Sequence, residues 1–76
     1  MMKSPSTLRY QELLKWLKHE RIEQGLTMRE LGALIDKPFQ FVSKVETGNR
    51  KLDVYEYMQY CKALGVDYRE GLKLLE

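Results

Sequence analysis

The sequence predicts an all-α domain of five short helices, and three observations lead to this fold class. Every segment between turn-forming residues repeats its apolar positions with the helical period of about 3.6 residues. No stretch alternates β-branched residues with polar ones, as a half-buried strand would. Very short turns separate the segments, and each turn contains a glycine or a proline: Gly25, Pro38, Gly48 and Gly65. A chain of 76 residues suffices for one such domain and is too short for two cores.

The first helix is expected to run from about residue 7 to residue 24. Residues 1–6 are expected to form a flexible N-terminus, followed by a single domain over residues 7–76. Three large apolar side chains and one arginine share a face at helical spacing: Leu13, Trp16, Leu17 and Arg21. Gly25 suits the position after the helix, where φ is positive.

The second helix begins near Met28, since Thr27 and Glu30 have the spacing of a capping box. It is expected to bury Leu31, Leu34 and Ile35. Pro38 disfavours the α conformation for the residue before it, so the helix is expected to end before Pro38.

Pro38 suits the first position of a third helix, predicted over about residues 38–47. Its two valines, Val42 and Val45, point to one side. The polar side chains cluster on the opposite side: Gln40, Ser43, Lys44 and Thr47. Phe39 and Phe41 fall on the two flanks.

Asp53 can cap a fourth helix that ends at Gly65. Its inner face is expected to hold Val54, Tyr57, Met58, Cys61 and Leu64. A second start of the capping-box type, Asp67 to Glu70, opens a short fifth helix carrying Leu72, Leu74 and Leu75. Cys61 is expected to be a small buried thiol.

Composition excludes several classes of function. No stretch approaches the roughly 18 apolar residues of a membrane span, and no signal peptide is visible. One cysteine and one histidine can form neither an internal disulfide nor a zinc site. No nucleophile–base pair or carboxylate pair marks a catalytic centre, so we expect no enzyme, no metal and no cofactor. The chain is expected to be cytoplasmic.

The formal charge of +2 is unevenly distributed. Residues 1–51 hold ten Lys/Arg against six Asp/Glu, a net +4, whereas residues 52–76 hold three against five, a net −2. This asymmetry favours a polyanion-binding part followed by a part with another task.

Two short helices joined by a tight turn, the second with a polar face, have the geometry that inserts a helix into the major groove of DNA. Residues 25–50 read GLTMRELGALIDKPFQFVSKVETGNR. This segment resembles the helix-turn-helix of the lambda-repressor/Cro-type (Xre) family of bacterial and phage regulators. The matching features are the opening GLT, the small residue Gly32, the anchors Val42 and Val45, and a closing Glu46-x-Gly48-x-Arg50.

The resemblance extends over roughly residues 13–75, because KALGV at residues 62–66 also matches. It implies a compact lambda-repressor-like domain in which Arg21 and Glu46 form a salt bridge that ties the first helix to the recognition helix. The family usually has glycine at the position of Asp36, serine or threonine at Pro38 and glutamine at Met28.

Donor and acceptor types suggest what each residue would do on DNA. Gln40 can pair with adenine, Lys44 with guanine, and Ser43 with either base. Phe39 can contact a thymine methyl group or, equally, pack against the second helix. The expected phosphate ligands lie at the start of the second helix, in the turn, and at and beyond the end of the third helix: Thr27, Arg29, Lys37, Thr47, Asn49, Arg50 and Lys51.

Helices four and five, residues 53–75, carry more apolar surface than a small core should absorb. We therefore expect a homodimer whose interface contains Tyr55, Tyr60, Tyr68, Leu72 and Leu75. The alternative is a monomer in which these side chains complete the core.

The resulting prediction is a homodimeric transcriptional regulator that acts by occupying a pseudo-palindromic operator on double-stranded DNA, as a repressor or as an activator. Small stand-alone members of the family, such as restriction–modification controller proteins, are similar in length. The alternative is an antitoxin-like protein-interaction module that uses Phe39 and Phe41 as a binding face.

Overall fold

The computed structural model describes the backbone of residues 5–76 and the side chains of residues 8–76. The described chain forms five helices and no strand: α1 (Pro5–Glu23), α2 (Met28–Leu34), α3 (Phe39–Glu46), α4 (Val54–Leu64) and α5 (Tyr68–Lys73). The predicted all-α class is confirmed. Helix α1 begins two residues before the predicted start, and residues 1–4 of the expected flexible N-terminus lie outside the described residues.

Two helices begin with a capping box, which the sequence predicts in full for Thr27 and Glu30 and only as a cap by Asp53 for the fourth helix. Thr27 Oγ1 accepts from the N–H of Glu30 at 3.0 Å, and Glu30 Oε1 accepts from the N–H of Thr27 at 2.8 Å. The same reciprocal pair joins Asp53 and Glu56, at 2.7 and 3.0 Å. Both capping boxes satisfy N–H groups that have no partner inside the helix.

Helix α5 begins differently from the prediction. The carboxylate of Asp67 accepts from the N–H of Arg69, two residues on, at 2.9 Å, and its two oxygens accept from the Arg69 guanidinium at 3.1 Å. Asp67 therefore caps the helix without forming a capping box with Glu70.

The turn between α2 and α3 depends on close backbone contact. The N–H of Lys37 donates to the carbonyl of Gly32 at 2.8 Å, and Asp36 takes a positive φ of 59°. A Cβ on Gly32 would lie 2.6 Å from the Lys37 carbonyl oxygen, so only glycine fits. Pro38 is the extended residue before α3, with ψ of 160°, and the prediction that it is the first helical residue is wrong by one position.

The core lies between α1 and the other four helices. Its fully buried side chains are Leu17, Leu31, Val42, Val45, Tyr60 and Leu64. Helix α2 packs through Leu31 and Ile35, and this stripe is too narrow to include Leu34, which is 60% exposed rather than buried as predicted.

The inner face of α4 differs from the predicted one. Tyr57, Tyr60, Cys61 and Leu64 are buried at positions i, i+3, i+4 and i+7, whereas Val54 and Met58 are exposed. The buried stripe is therefore rotated toward Tyr60. Cys61 is buried and unpaired, as expected.

Candidate nucleic-acid interface

Helix α3 is fixed to the core by one face and exposes the other. Val42 and Val45 have almost no accessible surface. On the opposite side Gln40 and Lys44 are exposed and Ser43 is half-buried. A rigidly held helix with free amide and ammonium donors on its outer face can present those donors to base edges.

Arg21 and Glu46 connect α1 to the end of α3. Arg21 Nε donates to Glu46 Oε2 at 2.6 Å, and Nη2 donates to Oε1 at 3.2 Å. Nη1 donates to the carbonyl of Leu26 at 2.7 Å. The two side chains are only 10% and 4% exposed, so the pair is buried and both charges are matched. This bidentate contact sets the position of α3 relative to α1.

Phe39 and Arg29 form a stacked pair at the start of α3. The Arg29 guanidinium carbon lies 4.3 Å from the centre of the Phe39 ring. The ring is half-buried, and Arg29 is exposed on α2. Phe39 thus packs against the second helix through a cation–π contact.

Phe41, on the other flank of α3, lies between two cations. Lys37 Nζ is 5.2 Å and the Arg50 guanidinium carbon 4.9 Å from the centre of its ring. Arg50 also donates to both carboxylate oxygens of Glu56, at 2.8 and 2.7 Å, and to the carbonyl of Lys51 at 2.6 Å. Arg50 is therefore held by α4 and has fewer donors available for a phosphate than the sequence suggests.

The hydrogen bonds from Arg50, followed by the N–H of Asp53, lower the pKa of Glu56 to about 2. The same contact raises the pKa of Arg50 above its ordinary value. Glu56 was not predicted as a partner of Arg50. Its position three residues after Asp53 is the one signal in the sequence, because a glutamate there can complete a capping box.

The other expected phosphate ligands differ in what they can still donate. The Thr27 hydroxyl accepts a bond within the capping box, which leaves its proton available. The Thr47 hydroxyl donates to the carbonyl of Lys44 at 3.2 Å, so its proton is used within the helix end. Asn49 and Lys51 are exposed in the loop after α3.

A basic groove that sequence analysis did not identify lies between α1 and the loop after α3. Its volume is about 470 Å³, and it is bordered by Lys15, Lys18 and Lys51. Lys15 is 3.6 Å from Glu12 in an exposed contact of the kind that contributes little to stability. The spacing of Lys15 and Lys18 on one helix face was visible in the sequence, but their approach to residues 47–51 depends on the tertiary fold.

An apolar groove lies on the side of α4 and α5. Its volume is about 650 Å³, and its walls include Val54, Met58, Tyr68, Leu72 and Leu75. Four of the five expected interface residues are exposed: Tyr55, Tyr68, Leu72 and Leu75. The expectation for the fifth is wrong, because Tyr60 is 1% exposed and belongs to the core of the monomer.

Over residues 8–76, no three His, Cys, Asp or Glu side chains come together as a metal site would require. No helix among the described residues is both long and apolar enough to cross a bilayer.

Comparison with known proteins places these features in context. The family model described as helix-turn-helix matches residues 17–70. A solved structure of an XRE-family like protein from Pseudomonas syringae pv. tomato str. DC3000 is 42% identical and superposes with a TM-score of 0.84, covering 91% of this chain and 84% of that one. No curated protein gives a significant match. The α2–turn–α3 unit lies inside the matched segment.

Proposed function

The chain belongs to the XRE-type helix-turn-helix family of DNA-binding regulators, and on that basis we propose that it is a sequence-specific transcriptional regulator that binds double-stranded operator DNA as a homodimer. Helix α3 would lie in the major groove. The observation that carries the proposal is an α3 anchored by buried valines, with Gln40 and Lys44 exposed between flanking cations.

The proposed base contacts come from the exposed side of α3. Gln40, in the first turn, offers an amide that matches adenine N6 and N7, and Lys44, one turn later, offers donors to guanine O6. Ser43 is half-buried between them and can serve either base.

The proposed backbone contacts lie on both sides of that face. Thr27 stands at the start of α2, and Lys37 in the turn. Asn49, Lys51 and the basic groove of Lys15 and Lys18 follow α3. Thr47 and Arg50 already donate to the Lys44 carbonyl and to Glu56, respectively. To contact a phosphate as well, each must divide its donors between that partner and the phosphate.

Self-association is supported by the apolar groove of α4 and α5. Tyr55 is 71% exposed, and Tyr68, Leu72 and Leu75 are each 37–42% exposed. A stable interface buries about 800 Å² on each partner, and aromatic and apolar side chains are enriched in such surfaces. A two-fold axis there would place two α3 helices on half-sites about 34 Å apart, as a pseudo-palindromic operator requires.

The alternative function, an antitoxin-like protein-interaction module, receives less support. It relied on Phe39 and Phe41 as an apolar binding face. Both rings are covered by cationic groups, Phe39 by Arg29 and Phe41 by Lys37 and Arg50. The face around α3 is therefore cationic and suits a polyanion, in the cytoplasm where DNA is available.

Binding of the purified protein to duplexes selected from random DNA, and to the region upstream of its own gene, tests the proposal. Fluorescence anisotropy should show log K falling linearly with log salt, with a slope of about −0.9 for each phosphate neutralised. Lys15→Gln/Lys18→Gln should make that slope shallower by up to about 2 without changing sequence preference. Lys62→Gln, an exposed lysine on α4, is the matched control. Failure of the wild-type protein to bind any duplex at about 50 mM salt would refute DNA binding.

The dimer is tested separately by sedimentation. Leu72→Glu should produce a monomer, because a charge would be placed inside the apolar interface. Ile22→Glu is the matched control, since Ile22 is 55% exposed on α1 and lies outside the groove. A wild-type monomer at micromolar concentration would contradict the proposed interface.

A further inference from the structure

We propose that Arg29 and Phe39 act as one stacked unit that reads a thymine–guanine step. Phe39 would lie against the thymine methyl group, and Arg29 would donate to O6 and N7 of the guanine. This inference rests on the proposed DNA binding and goes beyond it by assigning base recognition to a residue of α2, where the sequence suggested only a phosphate contact.

The geometry of the stack leaves the hydrogen-bonding edge of the guanidinium unoccupied by the ring. The Arg29 carbon lies 4.3 Å from the ring centre, a cation–π distance, and we infer that the ring covers the face of the planar group. The five N–H donors of an arginine lie in its plane, around the edge. Stacking and hydrogen bonding therefore do not compete, and the ring fixes the direction in which the donors can point.

Three of the other arginines of the described chain use their donors within the protein. Arg21 donates to Glu46, Arg50 to Glu56 and Arg69 to Asp67. Among residues 8–76, the side chain of Arg29 makes no hydrogen bond and no ion pair. A guanidinium held by an aromatic ring and left without an acceptor is prepared for an acceptor outside the chain.

The position of the stack favours a base over a phosphate. Phe39 is the first residue of α3, and the first residues of a recognition helix approach base edges. Because Arg29 stacks on that ring, its guanidinium is carried toward the same edges. Arginine pairs with guanine O6 and N7 through two donors, and an apolar ring suits the thymine methyl group.

The distance within the stack matches neighbouring bases. Successive bases of one strand are about 3.4 Å apart along the helix axis. The guanidinium carbon and the ring centre are 4.3 Å apart, about 1 Å more than that separation, so the two groups can reach adjacent base pairs with a small offset. Recognition of the thymine–guanine step by this unit needs both side chains. Replacing either one should therefore reduce the preference for that step.

The experiment uses operator duplexes selected from random DNA by the wild-type protein, with Kd measured by anisotropy. Replacing the guanine of the thymine–guanine step by 7-deazaguanine should weaken wild-type binding about 5- to 150-fold, and uracil in place of thymine should weaken it less. Arg29→Ala should bind the unmodified duplex more weakly than the wild type by a similar factor. Its Kd should not change when 7-deazaguanine replaces the guanine. Arg29→Lys should bind more weakly than wild type, because a lysine lacks the planar group that packs on Phe39 and offers two parallel donors.

Lys37→Gln is the matched control, since its cation stacks on Phe41 and is expected to contact phosphate only. It should weaken all duplexes equally. The inference is overturned if Arg29→Ala does the same, if Arg29→Lys restores wild-type affinity, or if the selected operators lack this step. A wild-type protein that binds no duplex would overturn both this inference and the proposed function, whereas binding with an unchanged preference in Arg29→Ala overturns only this one.

Discussion

Replacing Glu46 by glutamine should remove most of the stability of this domain. The substitution keeps the size of the side chain and eliminates its charge. Arg21 would then remain 8% exposed with no counter-ion, held only by the Leu26 carbonyl and a neutral amide. Breaking a buried ion pair by removing one charge costs about 3–5 kcal/mol.

That cost equals the whole net stability expected of a core this small, which is about 3–5 kcal/mol. For a domain of this length each kcal/mol shifts Tm by about 4–8 °C, so Glu46→Gln should lower Tm by at least about 12 °C. Since Glu46 ends α3, the loss should also abolish any DNA binding that depends on the orientation of that helix.

Thermal and urea unfolding followed by circular dichroism measure the effect. Glu12→Gln is the matched control, because the Glu12–Lys15 contact is 3.6 Å long and both side chains are more than 60% exposed, so less than about 1 kcal/mol should be lost. The double variant Arg21→Met/Glu46→Leu should recover much of the stability, since no charge is then buried. If Glu46→Gln behaves like Glu12→Gln, the reasoning from burial is wrong.

Three further results are expected. Gly71→Ala should destabilise the docking of α5 by at least about 1–3 kcal/mol, because a Cβ there would lie 2.6 Å from the Trp16 ring; unchanged urea unfolding would contradict the packing. The Glu56 carboxyl, with its pKa lowered to about 2 by Arg50, contributes stability that is complete above pH 4.5 and is lost as pH falls toward 2. The stability of Glu56→Gln should therefore depend less on pH in this range. If its acid-unfolding curve matches that of the wild type, Glu56 does not contribute to the pH dependence. Tyr60→Phe should leave stability unchanged or raise it by up to about 1 kcal/mol, since the buried hydroxyl has no partner among the described residues, and sedimentation should show unchanged self-association.

The sequence was most informative where a structure is decided by neighbours along the chain. Thr27 with Glu30 and Asp53 with Glu56 act over three residues, and both capping boxes form. Glycines at positions 25, 48 and 65 take positive φ where helices were expected to end. The errors at helix boundaries are small, such as Pro38 lying one residue before α3.

Which face of each helix is buried was less predictable, because the helices carry more apolar side chains than the core can hold. Leu34, Val54 and Met58 have the right chemistry and spacing for burial, yet they are exposed. Tyr60 was assigned to an interface, and the rotation of α4 places it in the core instead. Only the packing of α4 against its neighbours decides which tyrosine is inside.

The sequence by itself determined the five helices, their caps and turns, and the family pattern that implies DNA binding, because these depend on contacts between residues close in the chain or on recognisable motifs. The tertiary structure alone decided how the cations around α3 are held. Arg29 meets Phe39, Lys37 and Arg50 meet Phe41, and Arg50 is bound by Glu56. Those contacts form across turns and between helices, so their geometry follows from how the helices pack. Among the described residues near α3, that packing pairs Arg50 with Glu56 and leaves the Arg29 side chain without a hydrogen bond or ion pair.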